Sequence, residues 1–331
     1  MFKQIYEALV VRKNNSGFEY CLEKMDTQDL PSGDLLVKVN YSNINFKDAM
    51  SCQGNPSITR RFPHTPGIDA CGTIVESSDE NFAIGDSVLI ICKPMGLNSP
   101  GGFGGFVRIP SSWALKIDKS IDQESIMAIG TAGFTAALAV EKIIESNKNN
   151  LPKKVVVSGS RGGVGIIAIM ILKHIGVRVS ALTTSKEFLN DIKSLGVDEI
   201  IIPDDLINST KQNLAIARWN AAIDVTGGNI LSSLIKSIEQ GGSISVVGNV
   251  QSTVFETNVL PFILRGISLN GINAEMQDDN DRKRIIKKIT TEWMPDNLSY
   301  IYSLISLDQL PEYMDLFIKQ KLFGRVVVKV F

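Results

Sequence analysis

The chain has 331 residues, 44% hydrophobic and 21% charged, with a net charge of −1, so two soluble domains are expected and a basic face for nucleic acid is not. The longest apolar run, 166–172, is too short to span a membrane, and the opening MFKQIYEALVV lacks a secretory signal; a cytoplasmic enzyme with no membrane or nucleic-acid partner is expected. Cys21, Cys52, Cys71 and Cys92 stand at least 19 residues apart, which rules out a C-x-x-C metal knuckle and leaves buried free thiols as the expectation.

From residue 7 to about 118 the chain reads as strand and turn: DLLVKVNYSNIN, GIDACGTIVES and DSVLIICKP are short β-rich runs, punctuated by Gly67, Gly72 and Gly85 in the manner of an irregular barrel. His64, in RFPHTPG, is expected as a hydrogen-bonded loop residue rather than a catalytic one. The glycine-rich SPGGFGGFV at 99–107 has no helix after it, so a loop and bulge are expected there rather than a phosphate cradle.

Near Asp122 the period changes. Residues 123–128 and 131–146 read as helices, after which VVVS, VRVSAL, EIII, AAIDV, SISVVG and SLNGIN alternate with helical stretches such as KEFLNDIKSL and NILSSLIKSIEQ. Such alternation predicts a doubly wound parallel sheet. Beyond about 274 come a charged helix, DDNDRKRIIKKI, another near LDQLPEYMDLFIKQ, and a last strand, RVVVKVF. That strand has no place in the alternating unit and returns to the first domain. The expected division is therefore 1–121 plus 274–331 for the barrel and 122–273 for the inserted α/β domain.

The most informative stretch is 155–176, VVVSGSRGGVGIIAIMILKHIG. A strand, a small-residue turn and an apolar helix present backbone N–H groups and a positive helix end to a phosphate, where missing side chains let a pyrophosphate approach. Ser160, Gly162 and Gly165 take the three positions of G-x-G-x-x-G; an ordinary βα turn is the plain alternative. His174, near the end of that helix, needs no functional account. About 20 residues past Gly165, where an acid would hold a ribose 2′-OH, stand Thr183, Thr184, Ser185 and Lys186. Hydroxyls and a cation suit a 2′-phosphate, hence NADPH; Glu187 argues the other way.

Several segments, NFKDAM (45–50), FPHTPGIDACGTI (62–74), IGTAGFTA (129–136), SGSRGGVG (158–165), SLG (194–196), LPFILRG (260–266) and GRVVVKV (324–330), resemble the zinc-free medium-chain dehydrogenase/reductases. The likeness is greatest to the YhdH/YhfP group of quinone-oxidoreductase-type proteins and acryloyl-CoA reductases, and it covers essentially the whole chain. It implies an α/β protein in which a doubly wound Rossmann domain is inserted into a GroES-like β-barrel domain. Zinc-dependent relatives carry Cys where Asn45 stands and His where Ile68 stands, so no metal is expected.

By the same resemblance NADPH is read by Ser160, Arg161, Gly162, Gly163, Val164 and Gly165, by Thr183, Thr184 and Ser185, and by Asn249, Ile263, Ala274 and Arg325, with Phe46 near the nicotinamide; Lys186 joins them on its charge, and Thr131, at a helix start, either contacts the nicotinamide or caps the helix. Asn45, Asp48 and Arg325 are the candidate catalytic residues; for Asp48 the alternative is a structural carboxylate paired with Arg325. The group's usual tyrosine is Phe46 here, and an expected 2′-phosphate arginine is Ser185, leaving Lys186 or Arg161 to supply charge. The implied reaction is NADPH-dependent reduction of an activated C=C bond in a 2-enoyl thioester such as acryloyl-CoA. The rivals are a quinone as acceptor and an NADPH-binding protein without turnover. The outer edge of SLNGIN, near 269–272, is expected to pair in a homodimer.

Overall fold

The computed structural model describes residues 2–295 and 297–331. The chain forms two compact units, one running up to Thr131 and resuming at Leu298–Phe331, the other Ala132–Asn297.

The first unit opens on a hairpin of β1 (Ile5–Asn14) and β2 (Gly17–Asp26). There follow β3 (Leu35–Asn43), α1 (Phe46–Cys52), β4 (Ala70–Ser77), β5 (Ser87–Ile90), β6 (Phe106–Ile109) and β7 (Leu115–Lys116). β3 is the spine, antiparallel to both β4 and β6. Its inward residues Leu35, Val37 and Val39 pack with Ala70, Ile74, Val88, Ile90 and Val107, the two-residue period of a half-buried strand. The 99–105 stretch is a loop with no helix after it. A Cβ on Gly102 would lie 2.3 Å from the Asp69 carbonyl oxygen, so glycine lets this loop press backbone to backbone against the segment that enters β4.

Helix α2 (Gln123–Ser146) is broken at Gly130, whose φ of 49° and ψ of −155° are open only to glycine. By length and composition alone α2 could cross a membrane; the break leaves two shorter helices, neither of spanning length. The expected boundary at 121/122 moves to 131/132 because the first half of α2 is tied into the first unit. Asn40 bonds Gln123, Asn43 bonds the Met127 carbonyl, and Tyr302 bonds Glu124.

The second unit continues with β8 (Lys154–Ser158), α3 (Gly163–His174), β9 (Arg178–Leu182), α4 (Leu189–Ser194), β10 (Glu199–Ile201), α5 (Pro203–Ser209), β11 (Trp219–Asp224), α6 (Gly228–Ser237), β12 (Ile238–Val246), α7 (Leu260–Arg265), β13 (Ser268–Gly271) and α8 (Asp279–Ile289). Its six strands are all parallel, in the order β10-β9-β8-β11-β12-β13. The order reverses between β8 and β11, the switch point at which such sheets bind ligands. α8 belongs here and not to the barrel: Ile285, Ile286 and Ile289 are buried, and Arg284 and Lys288 reach Glu141 of α2 at 2.6 and 3.3 Å.

The chain then returns to the first unit as β14 (Tyr302–Ser306), α9 (Leu310–Ile318) and β15 (Arg325–Lys329). β15 pairs antiparallel with β3, as RVVVKVF implied, and parallel with β14, a strand the sequence did not announce. Cys52, Cys71 and Cys92 are buried thiols, whereas Cys21 lies on the hairpin surface.

Candidate active site

In the second unit, the turn after β8 bends at Gly159, with φ +61°, one residue before the position assigned from the motif. Ser160 is fully buried, and its hydroxyl donates inward to the carbonyls of Val157 (2.7 Å) and Leu182 (3.1 Å). Its side chain ties the turn to β9 and does not face a ligand. A Cβ on Gly165 would lie 2.4 Å from the Gly159 carbonyl oxygen, so the last glycine is needed for helix and turn to touch. Gly162 is the N-cap of α3 and offers no side chain to the first-turn N–H groups, which have no partner within a helix. The residues present fit a pyrophosphate: a positive helix end with the first-turn N–H groups of Gly163, Val164 and Gly165 and no side chain at Gly162, whose own N–H donates to the Gly159 carbonyl at 3.0 Å.

At the end of β9, Thr183 is buried and its hydroxyl accepts from the Ser185 N–H at 3.1 Å, so Thr183 shapes the corner. Thr184 and Lys186 are exposed and Ser185 is half-buried. Arg161 reaches across from the glycine turn, with Nη1 3.5 Å from Ser185 Oγ and its guanidinium 5.6 Å from the Phe188 ring centre. One cation and three hydroxyl-bearing residues thus meet at one corner. Asn249 is exposed just after β12, Ile263 is exposed on α7, and Ala274 is half-buried beyond β13.

In the first unit, Asn45, Asp48, Asp69 and Arg325 are buried together in one polar cluster. Arg325, the first residue of β15, donates from Nε to the Ala128 carbonyl (3.0 Å), and from Nη1 to the Ile44 carbonyl (3.1 Å) and Asn45 Oδ1 (3.2 Å). Nη2 is buried and has no hydrogen-bond partner. An orphaned donor of this kind costs about 1–3 kcal/mol and calls for an explanation. Burial lowers the Arg325 pKa, and the charges of Asp69 and Asp48 oppose that shift.

Asn45 donates from Nδ2 to Asn43 Oδ1 (2.6 Å) and to Asp69 Oδ2 (3.0 Å). Both its hydrogens and its oxygen are therefore engaged within the protein, and it holds other groups rather than offering a free donor. Asp69 also accepts from the N–H (2.8 Å) and the hydroxyl of Thr131, whose oxygen accepts from the Cys92 N–H at 3.1 Å. Sequence reading gave Asp69 no role; a lone acid beside the alkyl Ile68, in a stretch that otherwise reads as a buried strand, is the signal that would have marked it.

Asp48 does not pair with Arg325, contrary to the structural alternative above. Oδ1 accepts from the N–H groups of Gly67 (3.0 Å) and Ile68 (2.9 Å), and Oδ2 from that of Asn45 (2.8 Å). It pins the start of α1 to the turn before β4. Burial pushes its carboxyl up to about 7 against the pull of those three donors. Phe46, the first residue of α1, is half exposed. His64 is buried, donates from Nε2 to the Gly96 carbonyl at 2.8 Å, and is held below the ordinary histidine pKa by that burial.

The positions that hold zinc in metal-dependent relatives carry an amide, Asn45, committed to three neighbours, and an alkyl chain, Ile68. Among the described residues no group of three or more His, Cys, Asp or Glu is placed to hold a metal. Residues 31–119 match the alcohol dehydrogenase GroES-like domain family and 163–291 the zinc-binding dehydrogenase family. YhfP of Bacillus subtilis, which carries a quinone oxidoreductase name, is 34% identical over 98% of this chain and 99% of its own. The chain belongs to the zinc-free medium-chain dehydrogenase/reductases. Another relative in this family, the acrylyl-CoA reductase AcuI of Ruegeria pomeroyi, is 33% identical with the same coverage. The structure of E. coli K-12 YhdH with bound NADPH matches with a TM-score of 0.92 at 30% identity over 98% of this chain and all of that one. YhfP itself was solved with NAD bound (TM-score 0.93, 34% identity, 99% of this chain and 100% of that one). As a member of the family, the protein is a zinc-independent oxidoreductase with a nicotinamide dinucleotide cofactor.

Proposed function

We propose that the protein is an NADPH-dependent reductase of 2-enoyl thioesters, with acryloyl-CoA as the type substrate. The observation that carries this reading is the unpartnered Nη2 of Arg325, a buried cationic donor whose other nitrogens are held by two carbonyls and the Asn45 amide. Hydride addition to the β-carbon of an enoyl thioester builds negative charge on the thioester oxygen, and a pre-placed N–H lowers that barrier. Nη2 fits that task. Asn45 holds the other arm of the guanidinium, and Asp48 fixes the loop and helix around it without touching the acceptor. When bound, NADPH supplies the hydride.

In the second unit, the backbone of Gly162, Gly163, Val164 and Gly165 would hold the pyrophosphate, while Arg161, Thr184, Ser185 and Lys186 would read the 2′-phosphate. Ser160 and Thr183 act from beneath, by shaping the turn and the strand end. Asn249, Ile263, Ala274, Thr131 and Phe46 complete the family's contacts by position. Because Phe46 carries no hydroxyl, the proton that completes reduction at the α-carbon comes from water.

The same donor would suit a quinone oxygen, and the relatives' names divide between the two acceptors, so quinone reduction is the second reading. The test is NADPH oxidation measured in parallel with acryloyl-CoA, a benzoquinone and no acceptor. Saturable turnover with the thioester is expected. Turnover with the quinone alone would transfer the proposal to quinones, and turnover with neither would leave only a cofactor-binding protein.

A further inference from the structure

The direction of hydrogen bonding through the buried cluster is set at both ends. Asn43 spends its amino group on the Met127 carbonyl at 2.7 Å, so its oxygen must face Asn45. A carboxylate accepts and does not donate, so Asp69 likewise requires the amino end of Asn45, which it meets at 3.0 Å. With both its N–H groups drawn to that side, Asn45 turns its oxygen toward Arg325 Nη1 at 3.2 Å. Nη1 is then fully used, Nε is used at the Ala128 carbonyl, and Nη2 alone keeps its hydrogens.

Asp69 also faces the guanidinium without bonding it. The point a Cβ on Gly130 would occupy lies 2.6 Å from Asp69 Oδ2 and 3.2 Å from Arg325 Nη2. A glycine at the break in α2 thus lets a counter-charge stand close to the cation while leaving the cation's free arm unclaimed.

We propose that Asp69 is a positioning residue for Arg325, acting through the Asn45 amide and across Gly130. The inference rests on the reading of Arg325 as donor to the acceptor's oxygen. Without the carboxylate, one N–H of the Asn45 amide loses its acceptor, the amide is held only by Asn43 Oδ1 and by Arg325 itself, and the guanidinium loses the counter-charge of Asp69. A misplaced donor can cost about 10²-fold in rate without loss of binding.

The test uses Asp69→Asn, Asn45→Ala, Arg325→Ala and the double variant Asp69→Asn/Arg325→Ala, each assayed for kcat and KM with acryloyl-CoA, for NADPH affinity by fluorescence and for melting temperature. Asp69→Asn is expected to lower kcat about 10- to 100-fold, with KM and NADPH affinity within about threefold. In the Arg325→Ala background it should lower kcat no further, an outcome a merely structural carboxylate would not give. If Asp69→Asn does not fold, Asn45→Ala, which leaves the bonds from Thr131 to Asp69 in place, carries the test with the same expected split. Near-wild-type kcat in Asp69→Asn, or in Asn45→Ala where that variant carries the test, beside a slow Arg325→Ala overturns the role given to Asp69. Full activity in Arg325→Ala instead overturns the reading of Arg325 on which it rests.

Discussion

Asp48 and Arg325 are the two charged residues that sequence reading would most readily have paired, and they do not hydrogen-bond to each other. Asp48 takes all three of its bonds from backbone N–H groups, while Arg325 gives its own to two carbonyls and an amide. Their tasks separate accordingly: Asp48 holds backbone, and Arg325 is held so that one nitrogen is spare.

Asp48→Asn should therefore damage the fold before the chemistry. An amide can accept at only one of its two atoms, so at least one N–H among those of Asn45, Gly67 and Ile68 would face another donor, at a cost of about 1–3 kcal/mol. The pH dependence has an unusual sign. The Asp48 carboxyl, raised to about 7 by burial, binds its proton more tightly folded than unfolded. Its contribution to stability is greatest below the ordinary carboxylate range and is lost as pH rises through about 7. Denaturant melts of wild type and Asp48→Asn between pH 5 and 8 should show the difference between them shrinking as pH rises; a constant difference would mean that Asp48 does not titrate in that window.

The corner formed by Arg161, Ser185 and Lys186 should favour NADPH over NADH by at least about tenfold, or 1.4 kcal/mol. Lys186→Glu should erode the preference by repulsion. Arg161→Ala should also erode it, because that guanidinium lies 3.5 Å from Ser185 Oγ and stands over the Phe188 ring. Titration of the two cofactors checks this, and equal affinities in wild type would show that Glu187, not the cations, governs the site.

The architecture was legible wherever a period ran long enough. Alternating strands and helices announced the parallel sheet, and RVVVKVF announced its return to the barrel because it had no place in that alternation; in the structure Arg325, Val326, Val327 and Val328 are all buried. β14 was not legible, since YSLIS buries only one of its five residues, and α1 is only seven residues long. The domain boundaries moved because long-range bonds to Asn43 and Glu141, invisible in local pattern, decide which unit residues 122–131 and 274–297 join. The glycine turn was legible as a motif, but not which way Ser160 would point. Asp69 was missed because its meaning lies in Asn45, Gly130 and Thr131, which sequence reading had no reason to bring together.

Activity should survive chelation. The amide of Asn45 is committed to Asn43, Asp69 and Arg325, and Ile68 offers no donor, so removing metal should remove nothing the reaction uses. Assays after dialysis against EDTA, with zinc measured by elemental analysis, check this; a stoichiometric zinc whose removal abolishes turnover would contradict it.

β13 closes one end of the six-stranded sheet, so one row of its backbone groups lacks a strand. An edge strand can pair with a second copy of the chain. Light scattering at micromolar concentration should give the mass of two chains, joined near 269–272. A single chain throughout that range would show that the edge is protected by other means.

Phe46→Tyr tests the acceptor and the proton together. Phe46 begins α1 and is 50% exposed, so a phenolic hydroxyl can be added without burying an unpaired polar group, and the melting temperature should stay within about 2 °C, since a surface substitution usually changes stability by less than about 0.5 kcal/mol. If water protonates the α-carbon in wild type, a correctly placed hydroxyl should hold or raise kcat with acryloyl-CoA by acting as donor. The solvent isotope effect on kcat should change, because the proton would then pass through a different group. Turnover with a quinone, which requires no proton on carbon, should move less. A severe loss of thioester reduction in a variant that folds and still binds NADPH would show that the surroundings of residue 46 have been rebuilt around phenylalanine, and would move the substrate assignment away from enoyl thioesters.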